Sequence, residues 1–154
     1  MKRVGSGGPM ETRRFGARLG KLCRAGDVIQ LEGGLGAGKT CFVQGLARGL
    51  GVPAKTRITS PTFNIVLEYR GRLALVHIDL YRLGDEQELH EIGFDHYAYG
   101  GGVCAVEWME RFPSLAPVDR LAIELTIEGP RARTITVVGH GARGVELAAA
   151  WLPE

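Results

Sequence analysis

The stretch Leu31-Glu-Gly-Gly-Leu-Gly-Ala-Gly-Lys-Thr40 constrains this chain more than any other part of it. It fits G-x-x-x-x-G-K-[ST], with Gly33, Gly38, Lys39 and Thr40 at the fixed positions. In such a loop successive backbone N–H groups wrap an anionic phosphate chain. Glycines at 33, 34, 36 and 38 remove the Cβ atoms that would block close approach. A following helix adds the positive end of its dipole. The Lys39 ammonium then matches the β- and γ-phosphates, and the Thr40 hydroxyl suits Mg²⁺. Glycine is abundant, 23 of 154 residues, so the flanks must decide whether the pattern is accidental. Before the loop, Asp27-Val-Ile-Gln-Leu-Glu reads as a short buried strand. After it, apolar residues at 42, 43, 46, 47 and 50 follow a helical period that ends at Gly51. Strand, glycine-rich loop and helix in that order predict a site for a nucleoside triphosphate.

The length of 154 residues suits one domain, 1–154, with a glycine-rich and loose start over 1–9. A hydrophobic share of 45% and a charged share of 23% fit an ordinary globular chain and argue against disorder. A net charge of +2 leaves no broad footprint for autonomous nucleic-acid binding. Residues 1–24 are nevertheless locally basic, with Glu11 as their one acid; this reads as a solvated helix face or as contact with a partner or RNA. Cysteines at 23, 41 and 104 are scattered and lack metal-ligand spacing, which predicts free thiols in a reducing compartment. No apolar run is long enough to span a membrane, and a cytoplasmic protein is expected.

Along the chain, Thr12 is positioned to cap a helix running to about Arg24, with Phe15, Leu19 and Leu22 on one face. Phe63–Tyr69 and Leu73–Asp79 read as strands joined in an antiparallel hairpin. Gly84–Ile92 reads as an acidic helix and Tyr97–Gly102 as a flexible loop. Val103-Cys-Ala-Val-Glu107 is the apolar run of a buried central strand. Strands at about 121–127 and 133–138 follow, then a short helix over 144–152. The expected fold is α/β: a P-loop NTPase-like three-layer sandwich with a central, mostly parallel sheet and an antiparallel hairpin.

A P-loop needs an acidic residue at the end of a neighbouring strand to hold Mg²⁺, directly or through water. Two candidates present themselves, Asp79 and Glu107, each closing an apolar strand. One would bind the metal while the other orients water or couples the metal's position to hydrolysis. His77 shares a strand face with Asp79 and reads as a core or hydrogen-bonding histidine rather than a catalytic one. Ser60-Pro-Thr62 reads either as a γ-phosphate-sensing loop or as a proline-fixed turn.

Taken together, Gly33–Thr40, Ser60-Pro-Thr-Phe63, His77-Ile-Asp-Leu-Tyr-Arg-Leu83 and Val106-Glu-Trp108 resemble the bacterial TsaE (YjeE-like) family from about Thr12 to Arg133. The resemblance implies a P-loop ATPase with ATP and Mg²⁺ as ligands. Its partners would be TsaD-like and TsaB-like proteins, which install threonylcarbamoyl on adenosine 37 of tRNAs reading codons that begin with adenine. Alone, such a subunit is expected to be a monomer or to self-associate weakly. Carried over by position, Leu35, Gly36, Ala37, Gly38, Lys39 and Thr40 hold the phosphates, and Thr40 with Glu107 binds Mg²⁺. Asp79 matches the acid tied to hydrolysis, with Lys39 as its catalytic companion, and Trp108 the aromatic beside the site. Glu110 matches a nucleotide-contacting position, and Arg133 or Arg131 a basic position near the nucleotide. Gly34 and Cys41 depart from common family choices without removing a side chain the chemistry needs.

Three other readings compete. A small-molecule kinase would use Asp79 to activate an acceptor hydroxyl, but no basic cluster forms an obvious lid. A GTP switch lacks its Asn-Lys-x-Asp motif, Asn64 being the one asparagine, so adenine is expected over guanine. A nucleotide-binding module without turnover is the third.

Overall fold

The computed structural model describes residues 1–152. Its strands are β1 (Lys2–Ser6), β2 (Val28–Glu32), β3 (Val66–Arg70), β4 (Ala74–Asp79), β5 (Val103–Glu107), β6 (Arg120–Ile127) and β7 (Arg133–His140). They form one seven-stranded sheet in the order β1-β7-β6-β2-β5-β4-β3. The centre is parallel, with β2 between β6 and β5 and β4 beyond β5. The flanks are antiparallel: β3 pairs with β4, and β7 lies between β6 and β1. The result is a mixed α/β sheet with a parallel core and the expected hairpin.

Apolar runs explain the parallel centre. β5 is buried at all five positions, as a strand covered on both faces must be. Helices α1 (Pro9–Leu22), α2 (Lys39–Gly49) and α5 (Gly141–Trp151) cover one face. There Phe15, Phe42 and Trp151 meet edge to face, and the Trp151 indole donates to the Phe15 carbonyl at 3.0 Å. The short helices α3 (Glu86–Glu91) and α4 (Phe94–Ala98) cover the other face with Leu89, Phe94 and Ala98, joined by Met109 and Phe112 from the turns after β5.

Several boundaries differ from the sequence reading. Residues 1–9 are not loose. Lys2–Ser6 pairs along β7, and Pro9 already opens α1, because β7 offers an edge that this segment satisfies. Thr12 is not a cap. Gly8 takes that place, and the buried Thr12 hydroxyl meets Ser6 Oγ at 2.8 Å. Leu22 is exposed rather than in the core. Tyr97 and Ala98, expected in a loop, close α4, since Phe94 and Ala98 fall four apart on one buried face.

Candidate functional site

The loop from Gly33 to Thr40 links β2 to α2, so its backbone is held between a buried strand and a packed helix. Gly33, Gly36 and Gly38 adopt positive φ of 147°, 77° and 104°. At Gly33 a Cβ would also lie 2.8 Å from the Leu125 carbonyl oxygen, so both the conformation and the space require glycine. The N-terminus of α2 points into the loop, with Lys39 and Thr40 as its first residues.

The strand ends complete the site. Glu107 sits in register with Leu31 of β2 and with Asp79 of β4. Three neighbouring strands thus deliver the loop and both carboxylates to one edge. A cavity of about 660 Å³ opens there. It is lined by the loop from Gly34 to Thr40, by Asp79, Glu107 and Trp108, and also by Ser60, Thr62 and Tyr81.

The side chains interlock. Lys39 Nζ donates to the Gly33 carbonyl at 2.6 Å and lies 3.5 Å from Glu107 Oε1. The same ammonium sits 4.9 Å from the centroid of the Trp108 ring, a cation–π contact. Glu107 Oε2 is 2.8 Å from Nε2 of the fully buried His77. Burial alone would raise the Glu107 carboxyl. The His77 hydrogen bond and charge, aided by Lys39, outweigh it and hold the group below the usual carboxylate range. His77 is therefore the hydrogen-bonding histidine expected, although its Nδ1 has no partner among the described residues.

Asp79 is buried, accepting the Thr62 hydroxyl at Oδ2 (3.1 Å) and the Tyr81 N–H at Oδ1 (2.8 Å). Thr62 in turn meets Ser60 at 2.8 Å. The Ser60-Pro-Thr62 turn is thereby tied to the acidic strand end. Two non-glycine residues nearby adopt positive φ, Ile65 at 67° and Trp108 at 68°. For bulky side chains this costs on the order of 1–3 kcal/mol each, and such strain clusters at functional sites.

A sequence profile described as threonylcarbamoyl adenosine biosynthesis protein TsaE matches residues 7–135. The chain belongs to the TsaE family. A tRNA threonylcarbamoyladenosine biosynthesis protein TsaE from Treponema pallidum is 46% identical over 127 residues, spanning 82% of this chain and 93% of its own length. A Bacillus subtilis protein of the same description is 44% identical over 137 residues, spanning 88% and 84%. The crystal structure of Bacillus subtilis YdiB superposes with a TM-score of 0.82 at 36% identity, covering 97% of this chain and 93% of that one. The family is one of tRNA threonylcarbamoyladenosine biosynthesis. No helix among the described residues is long and apolar enough to cross a membrane.

Within this TsaE family member the residues singled out from sequence do not all converge. Leu35, Gly36, Ala37, Gly38, Lys39, Thr40, Asp79, Glu107 and Trp108 line the cavity, whereas Gly33 and Glu110 do not. Glu110 follows the buried Met109 on a short turn. There partial burial, with the Glu32 carboxylate nearby, raises its carboxyl. Arg133 is occupied elsewhere. Its guanidinium donates to the carbonyls of Gly36 and Ala37 at 3.0 Å each, and to those of Gly129 and Ala132. It buttresses the back of the loop. Arg131 borders a small crevice with Pro9, Gly38 and Cys41 on the other side of the loop. Tyr81 joins the lining without being among the residues the sequence singles out, although it stands two residues after Asp79; its ring lies 5.1 Å from that of Trp108.

Mg²⁺ fits this donor set. Thr40 and the two carboxylates offer hard oxygens, and the described residues hold no ready-made cluster of three His, Cys, Asp or Glu. Mg²⁺ typically takes only one or two protein ligands and completes its shell with phosphate and water. The cysteines are free, and burial pushes Cys23 and Cys104 up to about 12, so those two thiols are inert.

Proposed function

We propose that this chain is a Mg²⁺-dependent ATPase subunit of tRNA threonylcarbamoyladenosine formation, working with TsaD-like and TsaB-like proteins on adenosine 37. One observation carries the reading: a phosphate-cradling loop with Lys39 and Thr40 faces two in-register carboxylates, Asp79 and Glu107, across one cavity. In this reading the loop N–H groups and Lys39 bind the β- and γ-phosphates. Thr40 and Glu107 would hold Mg²⁺, which neutralises phosphate charge when bound. Lys39 exchanges its Glu107 and Gly33 contacts for phosphate. Asp79, with one donor already on each oxygen, keeps a lone pair free to orient water. Trp108 and Tyr81 wall the cavity and exclude bulk water. Transfer of threonylcarbamoyl falls to a partner, and adenine is the expected base.

The test is ATP hydrolysis by the purified chain with and without TsaD-like and TsaB-like proteins, and with tRNA modification measured in the same mixtures. Stimulated hydrolysis that tracks repeated modification supports the reading. Phosphate transfer to a small-molecule acceptor would favour a kinase instead. In the same assays, Glu107→Ala should weaken ATP binding more in Mg²⁺ than in EDTA; an equal loss in both would remove Glu107 from the metal site.

A further inference from the structure

A second cavity, of about 770 Å³, lies on the other side of Thr40 from the first. It runs between α1, the outer side of α2 and the connector around 54–59. Its walls carry Arg13, Arg14, Arg48, Lys55 and Arg57, and no aspartate or glutamate. None of these five cations takes part in an ion pair among the described residues. Arg48 spends its donors on the carbonyls of Val52, Pro53, Ala54 and Thr56, which fastens the connector in place while leaving the charge uncancelled. Arg13 donates to Gln44, and Lys55 and Arg57 stand exposed.

This is segregation rather than general basicity, because the whole chain carries only +2. The opposite face holds Asp85, Glu86, Glu88, Glu91 and Asp95 on or beside its short helices. Five like charges facing one groove repel one another unless an anion enters between them. We propose that this groove holds the phosphodiester backbone of an RNA strand, the substrate tRNA, directly beside the nucleotide site. The identity of the RNA rests on the proposed function above.

The lining favours RNA over an acidic protein. Protein interfaces anchor on buried aromatic and apolar side chains, and no aromatic residue lines this groove. Arginine, lysine, threonine and glutamine side chains are the groups that grip phosphate and sugar oxygens. Gln44 and Thr59 supply the neutral members of that set. Contacts of this kind position an RNA without reading its sequence. Because the groove adjoins Thr40, a strand lying in it would sit next to whatever changes at the γ-phosphate.

The test is fluorescence anisotropy of an unmodified tRNA transcript titrated with the full chain across a KCl series. ATP binding and hydrolysis are measured on the same preparations. The wild type should lose affinity steeply with salt. In the double variant Lys55→Gln, Arg57→Gln, tRNA affinity should fall about tenfold. The log–log salt slope should become shallower by about 1.5, as expected for two lost phosphate contacts. ATP affinity should be unchanged. No tRNA binding by the wild type at low salt, or an unaltered slope and affinity in the variant, would overturn the assignment. So would a loss confined to a TsaD-like or TsaB-like protein, with tRNA binding intact. Hydrolysis without tRNA binding rejects the groove alone, whereas groove-dependent tRNA binding without hydrolysis rejects the ATPase reading alone.

Discussion

The two faces of the sheet are built differently. On one, α1 and α2 meet through glycines: a Cβ on Gly16 would lie 2.3 Å from the Phe42 carbonyl oxygen, and one on Gly20 2.4 Å from that of Leu46. From the α2 side, Gly45 and Gly49 would strike the carbonyls of Arg13 and Ala17 at 2.0 and 2.1 Å. Backbone rests on backbone, so α2 and the phosphate loop that begins it have one position. On the other face, α3 and α4 are six and five residues long and pack through a few side chains. Asp79 closes β4, while Thr62 and Trp108 beside it are set by that side's turns, two of which carry positive φ at Ile65 and Trp108. The half of the site that would grip phosphate is thus fixed by close packing, and the half that would act on the γ-phosphate joins a strand end, Asp79, to short, strained connections around it. Binding and turnover should therefore be separable by mutation.

The sharpest way to break this contrast is Gly45→Val. Its Cβ would overlap the Arg13 carbonyl, and the variant should lose about 3 kcal/mol of stability by urea unfolding. An unchanged midpoint would show that the helix seam yields. A smaller effect, on ligand rather than fold, is expected for Lys39→Ala. Removing the ammonium should cost about 1.5–3 kcal/mol of ATP affinity by calorimetry. Unchanged affinity in a folded variant would remove the loop from the binding site. The smallest effect belongs to the other face. Asp85 caps α3 by accepting the Glu88 N–H at 3.0 Å, and Asp85→Ala should cost about 1 kcal/mol, read as faster amide exchange in α3 with ATP affinity intact. Loss of ATP affinity there would mean that the two faces are coupled.

What was legible in the sequence follows the range of the interactions. The phosphate loop, its strand and its helix are local, and their residues carry the signal within about twenty positions. Asp79 and Glu107 were legible as strand ends, and the parallel register then places them side by side. β1 was not legible, because its order comes from pairing with β7 some 130 residues later. The family resemblance puts Arg133 near the nucleotide, yet it grips loop carbonyls from across the sheet, a partner that no local pattern encodes. The glycine seam was readable in principle. Gly16 and Gly20 in α1, and Gly45 and Gly49 in α2, repeat at four-residue spacing, the signature of helices in close approach.

The central claim is that the site hydrolyses ATP and that Asp79 serves the transition state more than the bound ground state. Asp79→Asn keeps the side chain's size and its Thr62 and Tyr81 neighbours while removing the negative charge. ATP affinity and ATP turnover measured side by side on this variant test the claim most directly. The account predicts affinity close to wild type with turnover about 100-fold lower, a barrier increase of about 2.7 kcal/mol. Wild-type turnover in a folded Asp79→Asn protein would contradict it.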